Sequence, residues 1–451
     1  MRATSTSRAD WDQLPVIHAH AAGSDIGSAE IWVAAPPPDD PQPVRQFDTY
    51  TPDLHALADW LAQCQITTVA MESTGVYWIP LFEVLEARGF QVAVVNARHL
   101  QHVTGRKSDW QDCQWIQRLH TFGLLNDSFH PAAAIRVLRT YLRQRAMLLE
   151  QRAAHIQHMQ KALQQMNVQL TQVLSDITGK SGLAILRAIV AGERNPQVLA
   201  QLREERCEKS ASEIAQALTG NYRTEHLFSL QQALTLYDCY TEQVRVCDGE
   251  IEKQFQILKP ERDAPLPPLA RNDKRDSHSK NAPAYDARGL LYELVGVDLV
   301  AISGLNALTV QTMLSEVGTD MRKFPSEKHF CSWLSLAPHN DISGGKVLRS
   351  RVPKTNQRAG QAFRRTAQSL SRKQDGFGEY YRRQRARLGP QQTIVATAHK
   401  LARVFYHMLK EHTAFKPLTQ EEYARQVRVR EIANLKKKAA RLGFTLAEAS
   451  A

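Results

Sequence analysis

The chain is short of cysteine, has no long apolar run, and carries few acids in its last quarter. Its six cysteines (Cys64, Cys113, Cys207, Cys239, Cys247 and Cys331) form no C-x-x-C pair and no Cys/His cluster. Neither a zinc site nor a disulfide framework is signalled, and reduced, partly buried thiols are expected. No stretch approaches the ~18 consecutive apolar residues of a membrane-spanning helix, and the opening MRATSTSRAD lacks the apolar core of a signal peptide. The expectation is a cytoplasmic protein with no membrane partner.

The shortage of acid is local. From Ser343 to Ala451 there are 24 Lys and Arg against 7 Asp and Glu, whereas residues 1–342 hold 33 against 39. The net charge of +11 therefore sits at the C-terminal end. Such an excess draws a polyanion by counterion release, with binding that weakens as salt rises. The plainer alternative is a solvated helical surface. With 43% hydrophobic and 23% charged residues in 451, the chain reads as globular, with material for two or three domains.

Between Leu14 and Phe122 short β-type runs alternate with helical patterns: VIHAHA, IWVAA and RQFDTY, a helix near Leu54 to Cys64, TTVAME, a helix near Pro80 to Ala87, then QVAVVN. Three leading strands followed by strands with crossover helices suit a mixed sheet flanked by helices, as in RNase H-like folds, although other α/β folds share the periodicity. From Ile135 to Val173 a heptad seam appears, with Arg145 and Arg152 among its apolar positions. A second seam runs from Leu227 to Leu258 and includes Asp248. Long coiled-coil helices are expected, paired with each other or across subunits. The proline-rich, charged stretch from Pro260 to Asp286 reads as a linker. The region beyond is mainly helical and ends in a basic helix with Lys436, Lys437 and Lys438. The expected domains are residues 14–125 (RNase H-like), 131–259 (coiled coil), 260–288 (linker), 289–410 (C-terminal domain) and 411–451 (basic helical tail).

Asp25, in Gly23-Ser24-Asp25-Ile26-Gly27, follows the first apolar strand, and Glu72 ends TTVAME. Both are expected at strand ends, where α/β sites form. Ser108 with Gln111 spells a capping box starting a helix, so that Asp109 and Asp112 share one helical face. The helix dipole favours their ionised form, and converging carboxylates repel one another unless a cation neutralises them. Hard oxygen ligands point to Mg²⁺ or Mn²⁺, and a pair of such ions ~4 Å apart serves phosphoryl transfer. Taken singly, each acid reads as a solvated surface residue. Tyr77, Trp78, Trp110 and Trp115 lie near the acids in sequence, where core packing is the commoner role and base stacking the alternative.

MESTGVYW and VVNARHLQHVTGRKSDWQD resemble the strand-end Glu and the N-x-R-H…G-R-K-[ST]-D-x-x-D block of DEDD transposases of the insertion-sequence one-ten family. SLAPHNDISGGKVLRSRVPKTNQRAGQAFRRTAQSL resembles the same family's C-terminal transposase domain. The resemblance covers roughly residues 15 to 125 and 290 to 410. It implies an RNase H-like (RuvC-like) N-terminal domain, with Asp25, Glu72, Asp109 and Asp112 as the metal-binding acids and Ser343 as the serine nucleophile. It also implies recombination of donor and target double-stranded DNA guided by a bridge RNA, in dimers of dimers with a composite active site. Unlike the family's usual pattern, no Lys follows Asp25 shortly.

A serine hydroxyl needs activation, and Gly344 and Gly345 would let a phosphate approach the backbone. Without the resemblance, Ser343-Gly344-Gly345 reads as an ordinary tight turn. Lys346, Arg349, Arg351, Lys354, Arg358, Arg364 and Arg365, with Arg106 and Lys107 upstream, are expected to contact nucleic-acid phosphates. The run from Leu299 to Gly318 resembles a helix-hairpin-helix in which Asn306 replaces the second glycine. Two other readings stay open: a hydrolytic nuclease or junction resolvase using water, and a non-catalytic nucleic-acid-binding scaffold.

Overall fold

The computed structural model describes residues 14–36, 42–73, 75–96, 108–125, 127–261, 266–269, 280–353 and 357–445. They fall into two compact units, residues 1–130 and 131–451.

The N-terminal unit holds β1 (Ala21–Ile26), β2 (Glu30–Ala34), β3 (Val44–Asp48), α1 (Thr51–Gln63), β4 (Thr68–Glu72), α2 (Trp78–Ala87), β5 (Gln91–Val95) and α3 (Asp109–Thr121). The sheet order is β3-β2-β1-β4-β5, antiparallel through the β1–β3 meander and parallel from β1 to β5. This is the mixed α/β sheet that the alternating runs suggested. One expectation needs correction: VIHAHA is not the first strand. Val16 and Ile17 are exposed, and the amides of Ile17 and His18 bond the Thr121 carbonyl at the end of α3. The true strand is the small-residue run Ala21–Ile26. Asp25 is therefore the penultimate residue of β1 and does not follow the strand. Leu57, Leu61, Val69, Met71 and Leu85 bury the side of the sheet that α1 and α2 cover.

In the second unit, α4 (Ala133–Gln165) and α9 (Thr224–Leu258) carry the two heptad seams. They lie antiparallel: Gln254 Nε2 donates to the Ala134 carbonyl, Cys247 Sγ to that of Tyr141, and Tyr240 stacks on His155. Just over a third of the way along α4, Arg145 forms an ion pair with Asp248 of α9, the two side chains 3% and 4% exposed. The helices α5 (Leu170–Val173), α6 (Lys180–Val190), α7 (Pro196–Gln201) and α8 (Ala211–Ala217) close the far end, where Met159, Leu163, Ile185, Leu199 and Leu230 share a core. The stretch read as a linker contributes to the packing. Asn281 accepts from Arg145 and Arg152, and the Ala284 amide donates to Asp248. A chain seeking bound partners for three buried charges is held there by them.

The rest comprises α10 (Ala287–Val295), α11 (Ala307–Val317), α12 (Glu327–Trp333), the hairpin β6 (His339–Ser343) and β7 (Lys346–Arg351), α13 (Arg358–Ser369), α14 (Gly376–Leu388), α15 (Pro390–Glu411) and α16 (Gln420–Arg441). Phe330, Phe363, Phe405 and Tyr406 centre this core. Between α10 and α11, Gly304 (φ +84°) presses on Leu370 and Thr366, and Asn306 caps α11 by accepting from the Thr309 amide. Arg143 of α4 grips Glu316 of α11 in a forked contact at 2.8 and 2.9 Å. All six cysteines are free thiols. Among the described residues no helix is long and apolar enough to cross a membrane.

Candidate active site

Where α3 crosses β1, the strand has no side chain to interpose. A Cβ on Gly23 would lie 2.1 Å from the Gln117 amide nitrogen and 2.5 Å from the Cys113 carbonyl oxygen. The helix therefore rests directly on the strand. Ser108 caps it by accepting from the Gln111 amide, and its first turn bears Asp109 and Asp112. The other end is tied down as well: Thr68 Oγ1 lies 2.9 Å from His120 Nε2, His18 stacks on His120, and Gln117 Nε2 donates to the Ala21 carbonyl. Burial and the nearby His18 hold the His120 imidazole down to about 4, so it is neutral at ordinary pH.

In the sheet Ser24 pairs with Met71, so the next residue along each parallel strand, Asp25 and Glu72, sits at the same carboxyl edge. Asp25 is half-buried. Its carboxyl is raised to about 6, first by desolvation and then by Glu72, Asp109 and Asp112 in turn. Acids from three separate stretches of the sequence thus share one field. Cys113 beneath them is fully buried and its thiol is pushed up to about 12 by that burial, which leaves it inert. Among the described residues no three His, Cys, Asp or Glu side chains gather closely enough to hold a metal ion. The donor set is nonetheless of the right kind: oxygen ligands of one charge, whose mutual repulsion a divalent cation relieves.

Arg106, Lys107 and Lys354 lie outside the described residues. Tyr77 and Trp110 are about half exposed, while Trp78 packs edge-on against Phe82.

Ser343 ends β6 at the tip of a hairpin whose every residue is exposed. Gly344 (φ +55°) and Gly345 (φ +76°) form its two-residue turn, a conformation that excludes most side chains. A bulge opposite Asp341 and Ile342 leaves Leu348 unpaired, so Ser343 pairs with Lys346, Asp341 with Arg349 and His339 with Arg351. Since alternate residues share a face, Lys346, Arg349 and Arg351 lie on the face of Ser343. Arg358 and Arg365 on α13 are exposed. Arg364 turns partly inward, donating to the Ser335 carbonyl at 2.6 Å, and burial lowers its pKa.

Sequence reasoning missed Gly23, Thr68 and His120 as the parts that seat α3. The run Ala21-Ala22-Gly23-Ser24 was the available signal, because a strand of small residues invites close approach by a helix.

Two family models match the chain. A DEDD transposase model for IS110, described as a transposase, covers residues 22–168, and a model described as transposase IS116/IS110/IS902 family covers residues 298–382. No curated protein matches the chain.

Proposed function

The chain belongs to the IS110 family of transposases, enzymes that move insertion sequences in DNA, and we propose that it does so with a two-part site: the carboxylates Asp25, Glu72, Asp109 and Asp112, and the hydroxyl of Ser343. The observation that carries the first part is the raised carboxyl of Asp25, whose charged form is opposed first by burial and then by the other three acids. These four residues would hold Mg²⁺ or Mn²⁺. When bound, such an ion neutralises them and stabilises charge developing on phosphate oxygens.

Ser343 Oγ attacks the scissile phosphorus. A serine–phosphate ester forms as the bond to one strand oxygen breaks, and that oxygen leaves with the proton given up by Oγ. Strand exchange follows when a new strand end reverses the step. Lys346, Arg349 and Arg351 share the serine's face, suited to phosphate contacts on either side of it. A bridge RNA would choose the DNA, on the exposed basic surface of the hairpin and of Arg358 and Arg365, in a dimer of dimers. The run from Leu299 to Gly318 would add a helix-hairpin-helix-like backbone contact.

A second reading has support of its own. Hairpin geometry alone accounts for the Ser-Gly-Gly tip, and a nuclease or resolvase using water would need nothing further from Ser343. The deciding experiment incubates the protein with its flanking RNA, donor and target DNA and Mg²⁺, and compares wild type with Glu72→Ala and Ser343→Ala. Loss of recombinants in both variants, with a protease-sensitive DNA adduct in wild type alone, is the expected result. Recombination surviving Ser343→Ala would transfer the attack to water.

A further inference from the structure

The helices α14, α15 and α16 meet around the ammonium of Lys400. Lys400 on α15 directs its ammonium at three rings, 4.1 Å from the Tyr380 centroid, 4.6 Å from Tyr423 and 5.4 Å from Phe377. Among the described residues no carboxylate pairs with Lys400, nor with the exposed Arg430 of α16, which adds its charge to the same locus. Glu431 pairs with Arg383 and Glu379 with Arg382, while Glu327 pairs with His407 and with Arg403, which brings a guanidinium already paired on one side to the locus. Burial, then Arg430 and Arg403, lower the Lys400 ammonium to about 8.

Beside this junction opens a cleft of about 540 Å³ with Lys400, Arg403 and Lys416 in its wall beside the apolar Val404, Met408 and Phe415. Crowding cations in a partly desolvated setting costs free energy, and an anion bound among them offsets that cost.

We propose that this junction is a phosphate site for the backbone of a nucleic acid, seated on Lys400, Arg403 and Arg430, all three outside the stretches that the family models match. The rings already face the ammonium and are not free to stack on bases, so the contact is to phosphate and indifferent to sequence. The proposal needs the chain to be a transposase, but neither Ser343 nor the four carboxylates.

The test titrates the full-length protein into labelled duplex DNA and, separately, labelled oligouridylate, over a series of KCl concentrations. Lys400→Met and Arg430→Gln are each expected to weaken binding roughly tenfold and to reduce the slope of log K against log salt by ~1. Lys400→Arg should stay near wild type. A loss on the duplex alone assigns the site to DNA, on oligouridylate alone to RNA, and on both to any such backbone. If Lys400→Met lowers Tm by loosening the junction, Arg430→Gln decides, since its side chain is exposed. Wild-type affinity and salt slope on both probes for Arg430→Gln and a folded Lys400→Met would overturn the proposal. Glu72→Ala and Ser343→Ala should bind like wild type, which separates this outcome from failure of the catalytic reading.

Discussion

Asp25 and Ser343 stand on opposite kinds of ground. The strand under Asp25 is pressed against α3 with no space for even a methyl group; Glu72 is carried by a strand of the same sheet, and α3, which carries the other two acids, packs through Ile116 on Ala70 and Val95. The hairpin under Ser343 has no core: its eleven residues from His339 to Arg351 that lie in strands are all exposed, and a Cβ on either turn glycine would meet nothing within 4 Å. One region sets positions by packing. The other sets only a local turn and leaves its surroundings to whatever binds there. On the proposed mechanism, an enzyme that must handle more than one DNA strand would gain from that division, because the carboxylates would keep their geometry while the Ser343 hydroxyl adapts.

The contrast breaks most severely at Gly23. Gly23→Val should lift α3 from β1, costing on the order of 3 kcal/mol or more. Activity would be lost together with the cooperative unfolding transition of the N-terminal unit, measured by calorimetry. A variant of near wild-type Tm would mean that α3 can find a second seat.

A smaller effect is expected from acid. His120 titrates near 4 when folded against an ordinary 6.5, so between those values the unfolded chain binds the proton that the folded one refuses. Stability should therefore fall as pH drops from 6.5 to 4, by on the order of 2 kcal/mol after allowance for partial screening. His120→Gln should flatten that part of the pH profile, and an unchanged slope would place its origin elsewhere.

The smallest change in stability belongs to the hairpin. Gly345→Ala imposes left-handed strain of about 1 kcal/mol on the turn alone. Global Tm should hold, while recombination and adduct formation decline. A matching fall in Tm would show that the hairpin is packed against something after all.

Much of the N-terminal sheet was legible because β2, β4 and β5 carry apolar runs bounded by turn residues. Its first strand was not, since Ala21 to Ser24 have the small side chains that a flush helix demands, and Val16-Ile17 offered a stronger apolar signal nearby. The four acids could be picked out by motif, but the shared field at Asp25 depends on β1 meeting β4 and α3, pairings that leave no local trace. The hairpin escaped for the opposite reason: with both faces in solvent, HNDIS and KVLRSR show no alternation of apolar and polar residues. The docking of Asn281 and Ala284 was equally hidden, since their partners Arg145 and Asp248 lie far away in sequence.

The ion pair between Arg145 and Asp248 has a mechanical consequence. At ~1.5 Å per residue, the 33 residues of α4 make a strut of ~50 Å, and α9 runs back along it. Sliding one helix past the other by a heptad would strand a buried charge on each, at a cost of about 3–5 kcal/mol. The pair therefore works as a key in a shaft, opposing axial slip of one helix along the other.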